Sequence, residues 1–146
     1  MGRLTNFITS SQTVALDTNI FILASSPDRS GDTARSLLSH LKDVSPHVFL
    51  SVLVLEEFFV KVYKLKQDKR SSTFINFLTL NGKATLVDIN RDIALLAGKL
   101  RALHSSLRTP DALHIATALS SNVDYFLTTD RRLPKKIDRL SIISLV

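Results

Sequence analysis

The chain is predicted to fold as an α/β domain, a parallel sheet with helices on both faces. Short apolar, β-prone runs alternate with amphipathic helical stripes along its whole length, and no repeat, low-complexity tract or interior linker interrupts them. Three of the five expected strands are followed closely by an acid. At 146 residues and 45% hydrophobic content, the chain is the size of one ordinary domain and can bury roughly two-thirds of its unfolded surface. Residues 13–146 are read as that single domain, and residues 1–12 as an N-terminal extension with room to be flexible.

In chain order, Thr13 to Leu16 is a four-residue apolar run that reaches Asp17, and Ile20 to Leu23 opens a helix behind it. Asp17 would serve equally as the N-cap of that helix. After the break at Ser25-Ser26-Pro27-Asp28, Ala34, Leu37, Leu38 and Leu41 fall at amphipathic spacing. Val48 to Ser51 reads as a second buried strand, running into a helix of about seventeen residues that carries Glu56 and Glu57. Its expected core face, Leu55, Phe58, Phe59, Val62 and Leu65, lies about 130° from each glutamate at about 100° per residue, so periodicity does not choose between them. Both would serve as surface acids pairing with Lys61 or Lys64 at helical spacing.

Ser71 to Leu80 is expected as a short helix stopped by Asn81-Gly82, and Ala84 to Val87 as the third strand. Asn90 caps the next helix, with the stripe Ile93, Leu96, Ala97, Leu100 and Leu103. Thr109 is an N-cap type, Pro110 suits the first helical position, and Asp111 falls where exposed N–H groups favour an anion. Ala112, Ile115, Ala116 and Leu119 form that helix's packed stripe, and Ser120-Ser121-Asn122 ends it. Val123 to Leu127 is the fourth strand, leaving through Thr128-Thr129-Asp130, and Ser141 to Leu145 the fifth.

The absence of cysteine excludes disulfides and thiolate metal sites and points to a reducing cytoplasm. No apolar run approaches the ~20 residues of a membrane span, and residues 1–12 lack the apolar centre of a signal peptide, so no membrane association is expected. Nineteen Lys and Arg against thirteen Asp and Glu give a formal charge of +6, which suits a phosphate-bearing partner as well as mere solubility.

Ligands of open α/β sheets lie outside the carboxyl ends of the strands. Asp17, Glu56 or Glu57, Asp111 and Asp130 are candidates to meet there as four carboxylates needing no histidine or cysteine partner. Hard oxygen donors of this kind suit Mg²⁺ or Mn²⁺ and suit zinc poorly. One or two such ions would neutralise the acids and activate a water against a phosphodiester. Other acid-centred α/β chemistries fit less well. An aspartate-nucleophile phosphatase wants a second aspartate where Asn19 stands, and a receiver domain wants paired first acids where Leu16 precedes Asp17. There is no G-x-S-x-G elbow and, among four glycines, no phosphate-binding glycine loop.

VALDTNIFI around Asp17, LSVLVLEEF around Glu57, and TPDALHIATAL followed by DYFLTTDRRL around Asp111 and Asp130 together resemble a PIN domain, most similar to the VapC-type toxins of toxin–antitoxin pairs. The likeness spans Val14 to Leu133. It implies a three-layer fold with a five-stranded parallel sheet, a homodimer, and Mg²⁺- or Mn²⁺-dependent endoribonuclease activity on RNA. It also implies a cognate antitoxin that inserts a segment over the acidic site. The family's register, a glutamate six residues after a serine and before an apolar residue, selects Glu57 over Glu56.

On the same footing, Asp17, Glu57, Asp111 and Asp130 would hold the metal, with Asp17 and Asp111 as the bridging pair and Asn19 or Thr128 orienting them. His114 is a candidate ligand or proton shuttle, against the plain reading of a helix residue. Arg131, Arg132, Lys135 and Lys136 are candidates to grip RNA phosphate, against a solvated basic loop. Lys61, Lys64, Lys66, Lys69 and Arg70 would cover a helix face or a dimer rim. The competing function is a PIN-like RNA- or protein-binding module without turnover.

Overall fold

The computed structural model describes residues 7–66, 71, 74, 76–78 and 84–146. Among them the elements run β1 (Thr13–Leu16), α1 (Thr18–Ala24), a 3-10 turn (Arg29–Gly31), α2 (Asp32–Val44), β2 (His47–Ser51), α3 (Leu53–Leu65) and β3 (Ala84–Val87). There follow α4 (Arg91–Leu103), α5 (Thr109–Ser120), β4 (Tyr125–Thr128), β5 (Lys136–Ile137) and β6 (Leu140–Ser144). The sheet order is β3-β2-β1-β4-β6-β5. The first five strands in that order are mutually parallel, with Val14 opposite both Val48 and Tyr125.

Alternation along the strands sorts side chains between two cores. Val14 and Leu16 pack with Ile20, Phe21, Leu37 and Phe58 against α1 to α3. Ala15 and Phe126 pack with Ile93, Leu100, Ile115 and Leu119 against α4 and α5. Burying a Leu, Ile or Phe side chain contributes about 1.5–3 kcal/mol, so each layer is held to the sheet by several such residues. The sheet is thus covered on both faces, as a parallel sheet requires.

The expected five strands become six. The sixth, β5, pairs antiparallel with β6, Lys136 opposite Ser141 and Ile137 opposite Leu140. Asp138 adopts a left-handed conformation (φ 50°) that folds the chain straight back. A two-residue strand is too short to carry a period, and a short edge bearing an exposed Lys is a common end for a sheet.

Helix α3 is also shorter than expected, 13 residues, because Lys66 turns left-handed (φ 49°) and closes it. Its buried face is Val54, Phe58 and Val62, while Leu65 is 48% exposed at the helix end. With Leu55 and Phe59 only half-buried, the face centred on Val54, Phe58 and Val62 lies about 40° nearer Glu57 than expected, leaving Glu57 about 100° and Glu56 about 160° from its centre. The expected lysine pairings are absent: among the described residues Glu57 turns to other partners and Glu56 stands exposed without an ion pair.

Helix α5 is capped by Arg108 rather than Thr109, which is its first residue. The cap falls one position early because Asp111 Oδ2 accepts the Arg108 backbone N–H at 2.9 Å. Asn90 caps α4 as expected, accepting the Ile93 N–H at 2.9 Å, but Leu103 at that helix's end is exposed. Of the helix expected over Ser71 to Leu80, Ser71, Phe74 and Asn76 to Leu78 are helical. The rest, with Asn81-Gly82, lies outside the described residues, as do Lys69 and Arg70.

Residues 1–6 also lie outside the described residues. Phe7 stacks obliquely on Tyr125 with ring centroids 4.9 Å apart, Ile8 is buried, and the Gln12 side chain donates to the Tyr125 hydroxyl at 3.2 Å. No helix among the described residues is long and apolar enough to cross a membrane.

Candidate functional site

The chain leaves β1 for β2 on one side and later crosses to β4 on the other, so β1 and β4 flank the point where the strand order reverses. Crevices in α/β sheets open there, at the carboxyl ends of the strands. Asp17 is the residue after β1, and Asp130 stands two residues after β4. Glu57 is in the second turn of α3, the helix that follows β2, and Asp111 is in the first turn of α5.

Asp17 is buried and held at both oxygens. Oδ2 accepts the Thr128 hydroxyl at 2.6 Å and Oδ1 accepts the Asn19 backbone N–H at 3.3 Å. It is therefore also the N-cap of α1, so the two readings of this acid coincide in one geometry. The Thr128 oxygen accepts the Asp130 N–H at 3.0 Å, tying the strand end to the turn behind it.

Asp111 lies within the field of two other acids. Burial pushes the Asp111 carboxyl above the usual range, the hydrogen bond from Arg108 N–H opposes this, and the charges of Asp17 and Asp130 push it further up. Asp130 is held below the usual range by its fork-like pairing with Arg132, whose Nε lies 2.9 and 3.1 Å from the two carboxylate oxygens and whose NH2 group also bonds Oδ2.

Glu57 has a different environment. Burial pushes its carboxyl up, but hydrogen bonds from His114 and Thr18 outweigh this and hold it below the usual range. His114 Nε2 is 2.7 Å and Thr18 Oγ1 2.5 Å from the same oxygen, Oε2. Among the described residues, no three His, Asp or Glu side chains close around one point as metal ligands.

Of the basic residues named from sequence, Arg131 and Lys135 are exposed beside Asp130 and line a cavity floored by Leu133, Ile142 and Ile143. Arg132 is engaged with Asp130, and Lys136 lies in β5. The Thr18 contact escaped the sequence reading, because a threonine between Asp17 and Asn19 reads simply as the start of a helix. His114 carried a better signal, a polar residue amid Ala112, Ile115, Ala116, Thr117 and Ala118 in a helix with scarcely a polar face.

The sequence matches the family model of the PIN domain over residues 14–140. The chain belongs to the PIN domain family. Solved structures share its fold. The PIN domain aligns with VapBC2 from Rickettsia felis, bound to a DNA fragment from the complex's promoter, at a TM-score of 0.70 and 22% identity, covering 91% of this chain and 98% of that one. A toxin–antitoxin complex from Klebsiella pneumoniae aligns at 0.68 and 23% identity with the same coverage. Mycobacterium tuberculosis VapC20, a sarcin-ricin loop cleaving toxin, aligns at 0.64 and 16%, covering 81% of this chain and 90% of its own. No curated protein matches the chain.

Proposed function

We propose that this PIN domain is a metal-dependent endoribonuclease, the toxin of a toxin–antitoxin pair, acting in the cytoplasm as a homodimer. The observation that carries the reading is the meeting of Asp17, Asp111 and Asp130 at the switch point of the sheet, where burial first, and then the charges of the other two, push the Asp111 carboxyl above its usual range. Carboxylates crowded in this way are what a divalent cation relieves. Solved structures of the same fold include toxin–antitoxin complexes and a sarcin-ricin loop cleaving toxin, which supports both the substrate and the partner.

The donor set fits Mg²⁺ or Mn²⁺, one ion or two: carboxylates alone, with Asp17, Asp111, Asp130 and Glu57 as the holding residues. The bound ion would supply a water acidic enough to attack a phosphodiester and would offset charge on the phosphate. Thr128 and Asn19 fix the Asp17 carboxylate, so that it need not reorganise when the substrate arrives. Arg131 and Lys135 supply positive charge beside Asp130, where backbone phosphates would run. An antitoxin segment would lie in the apolar groove between α1 and α3, about 470 Å³, lined by Ile22, Leu23, Phe58 and Val62 with Asn19 and Thr129 at its site end.

Incubation of the protein with structured RNA and Mn²⁺ tests the reading. Cleavage by wild type and its loss in Asp111→Asn is the expected result, and equal cleavage by both removes the assigned site. A second reading, an RNA- or protein-binding module without turnover, draws on the engagement of Asp130 by Arg132 and of Glu57 by His114. It expects association indifferent to metal and a thermal midpoint flat to millimolar Mn²⁺, whereas the nuclease reading expects the midpoint to climb.

A further inference from the structure

We infer that His114 is a positioning residue for Glu57: with Thr18 it occupies one carboxylate oxygen, Oε2, and leaves Oε1 as the single oxygen the glutamate offers to a cation. The inference rests on the metal-dependent reading of the site.

Three elements meet here, α1 through Thr18, α3 through Glu57 and α5 through His114. His114 Nε2 is 2.7 Å from Glu57 Oε2 and 3.3 Å from Thr18 Oγ1, and Thr18 Oγ1 is 2.5 Å from the same Oε2. A carboxylate oxygen only accepts, so the Thr18 hydroxyl spends its single hydrogen on Glu57. The Thr18 oxygen can then meet Nε2 only as an acceptor. Nε2 must therefore carry the hydrogen, pointed between Oε2 and Oγ1. An Nε2–H has no lone pair for a metal, so this nitrogen is excluded as a ligand. Among the described residues no donor reaches Glu57 Oε1.

The ring cannot swing away cheaply. His114 is 4% exposed, and its helix neighbours Ile115, Ala116, Thr117 and Ala118 are buried. Glu57, by contrast, keeps about a quarter of its side chain exposed, so without the two donors its carboxylate would sample several rotamers. A second-layer group that orients a ligating carboxylate in this way typically governs metal affinity or activity by about 10- to 100-fold.

The test is Mn²⁺ binding by calorimetry on the full chain, with the metal-free thermal midpoint recorded for each variant. His114→Leu should bind Mn²⁺ roughly 10- to 100-fold more weakly, while His114→Gln, whose amide keeps a donor near Oε2, should stay within a few-fold of wild type. A merely structural histidine would lower the metal-free midpoint and leave Mn²⁺ affinity unchanged in both, and that result overturns the inference. Thr18→Val removes the other donor and should weaken binding in the same direction; unchanged affinity there overturns it even where His114→Leu fails to fold. Equal binding by wild type and Glu57→Gln would sink the positioning role while leaving the aspartate site intact. Absence of Mn²⁺ binding by wild type at millimolar concentration would remove both the role and the nuclease reading.

Discussion

The Thr128 hydroxyl donates to Asp17 Oδ2 at 2.6 Å and accepts the backbone N–H of Asp130 at 3.0 Å, so one buried oxygen joins the ends of two neighbouring strands. Thr128→Val keeps the shape and removes both bonds. Stability should fall by about 1–3 kcal/mol, because a buried carboxylate loses a donor, and RNA cleavage should fall about 10-fold or more. Thr128→Ser should recover most of each. Urea denaturation and initial cleavage rates check this, and a fully active, fully stable Thr128→Val would refute it.

Asp111 and Glu57 should respond to pH with opposite signs. Asp111 is pushed up, so the folded protein keeps its proton to higher pH than the unfolded chain does. The stability that the neutral form contributes is present below the ordinary Asp range and is lost as pH rises through the raised value. Asp111→Asn cannot ionise. Without metal at pH 7 it should melt higher than wild type, by roughly 1–3 °C once solvent screening is allowed for, and the gap should close on acidification.

Glu57 is held low, so its contribution is present above the ordinary Glu range and is lost as pH falls through the lowered value. Glu57→Gln should melt below wild type at neutral pH and draw level in acid. Scanning calorimetry across the acid range would expose a wrong sign for either residue.

The two adjacent glutamates separate by metal response. Glu57→Gln should require roughly 10-fold more Mn²⁺ for the same rise in thermal midpoint, whereas Glu56→Gln should track wild type. Equal shifts in the two variants would mean that the register is wrong.

Arg132 competes with any cation for Asp130, since it pairs with both carboxylate oxygens. Arg132→Ala should release that carboxylate and lower the Mn²⁺ concentration at half-effect by several-fold, because the guanidinium that competes for both oxygens is removed. An unchanged metal requirement would show that the pair opens at no cost.

Much of the fold is legible in the sequence because its strands are short apolar runs bounded by acids and capping residues. β1 and β3 begin and end where the apolar runs do, and Asn90 announces α4 unaided. What escaped has physical causes. Leu55 and Phe59 are hydrophobic but only half-buried, and counting them fully as core blurred the face that separates Glu56 from Glu57. β5 exists only because of a left-handed Asp138, which no period records. The partners of the acids depend on which elements the sheet order brings together, and neither Thr18 with Glu57 nor Thr128 with Asp17 is close in sequence.

The helices on the two faces of the sheet are built around separate cores, one under α1 to α3 and one under α4 and α5. Substitutions deep in different cores should add independently. His114 and Glu57 break that independence, because they reach across from one layer to the other where the strands have ended. A small slip of one layer past the other, invisible to melting curves or to either core alone, would register first as a lengthened hydrogen bond at this joint. The carboxylate it steers thus works as a gauge of how the two halves of the molecule are seated on their common sheet.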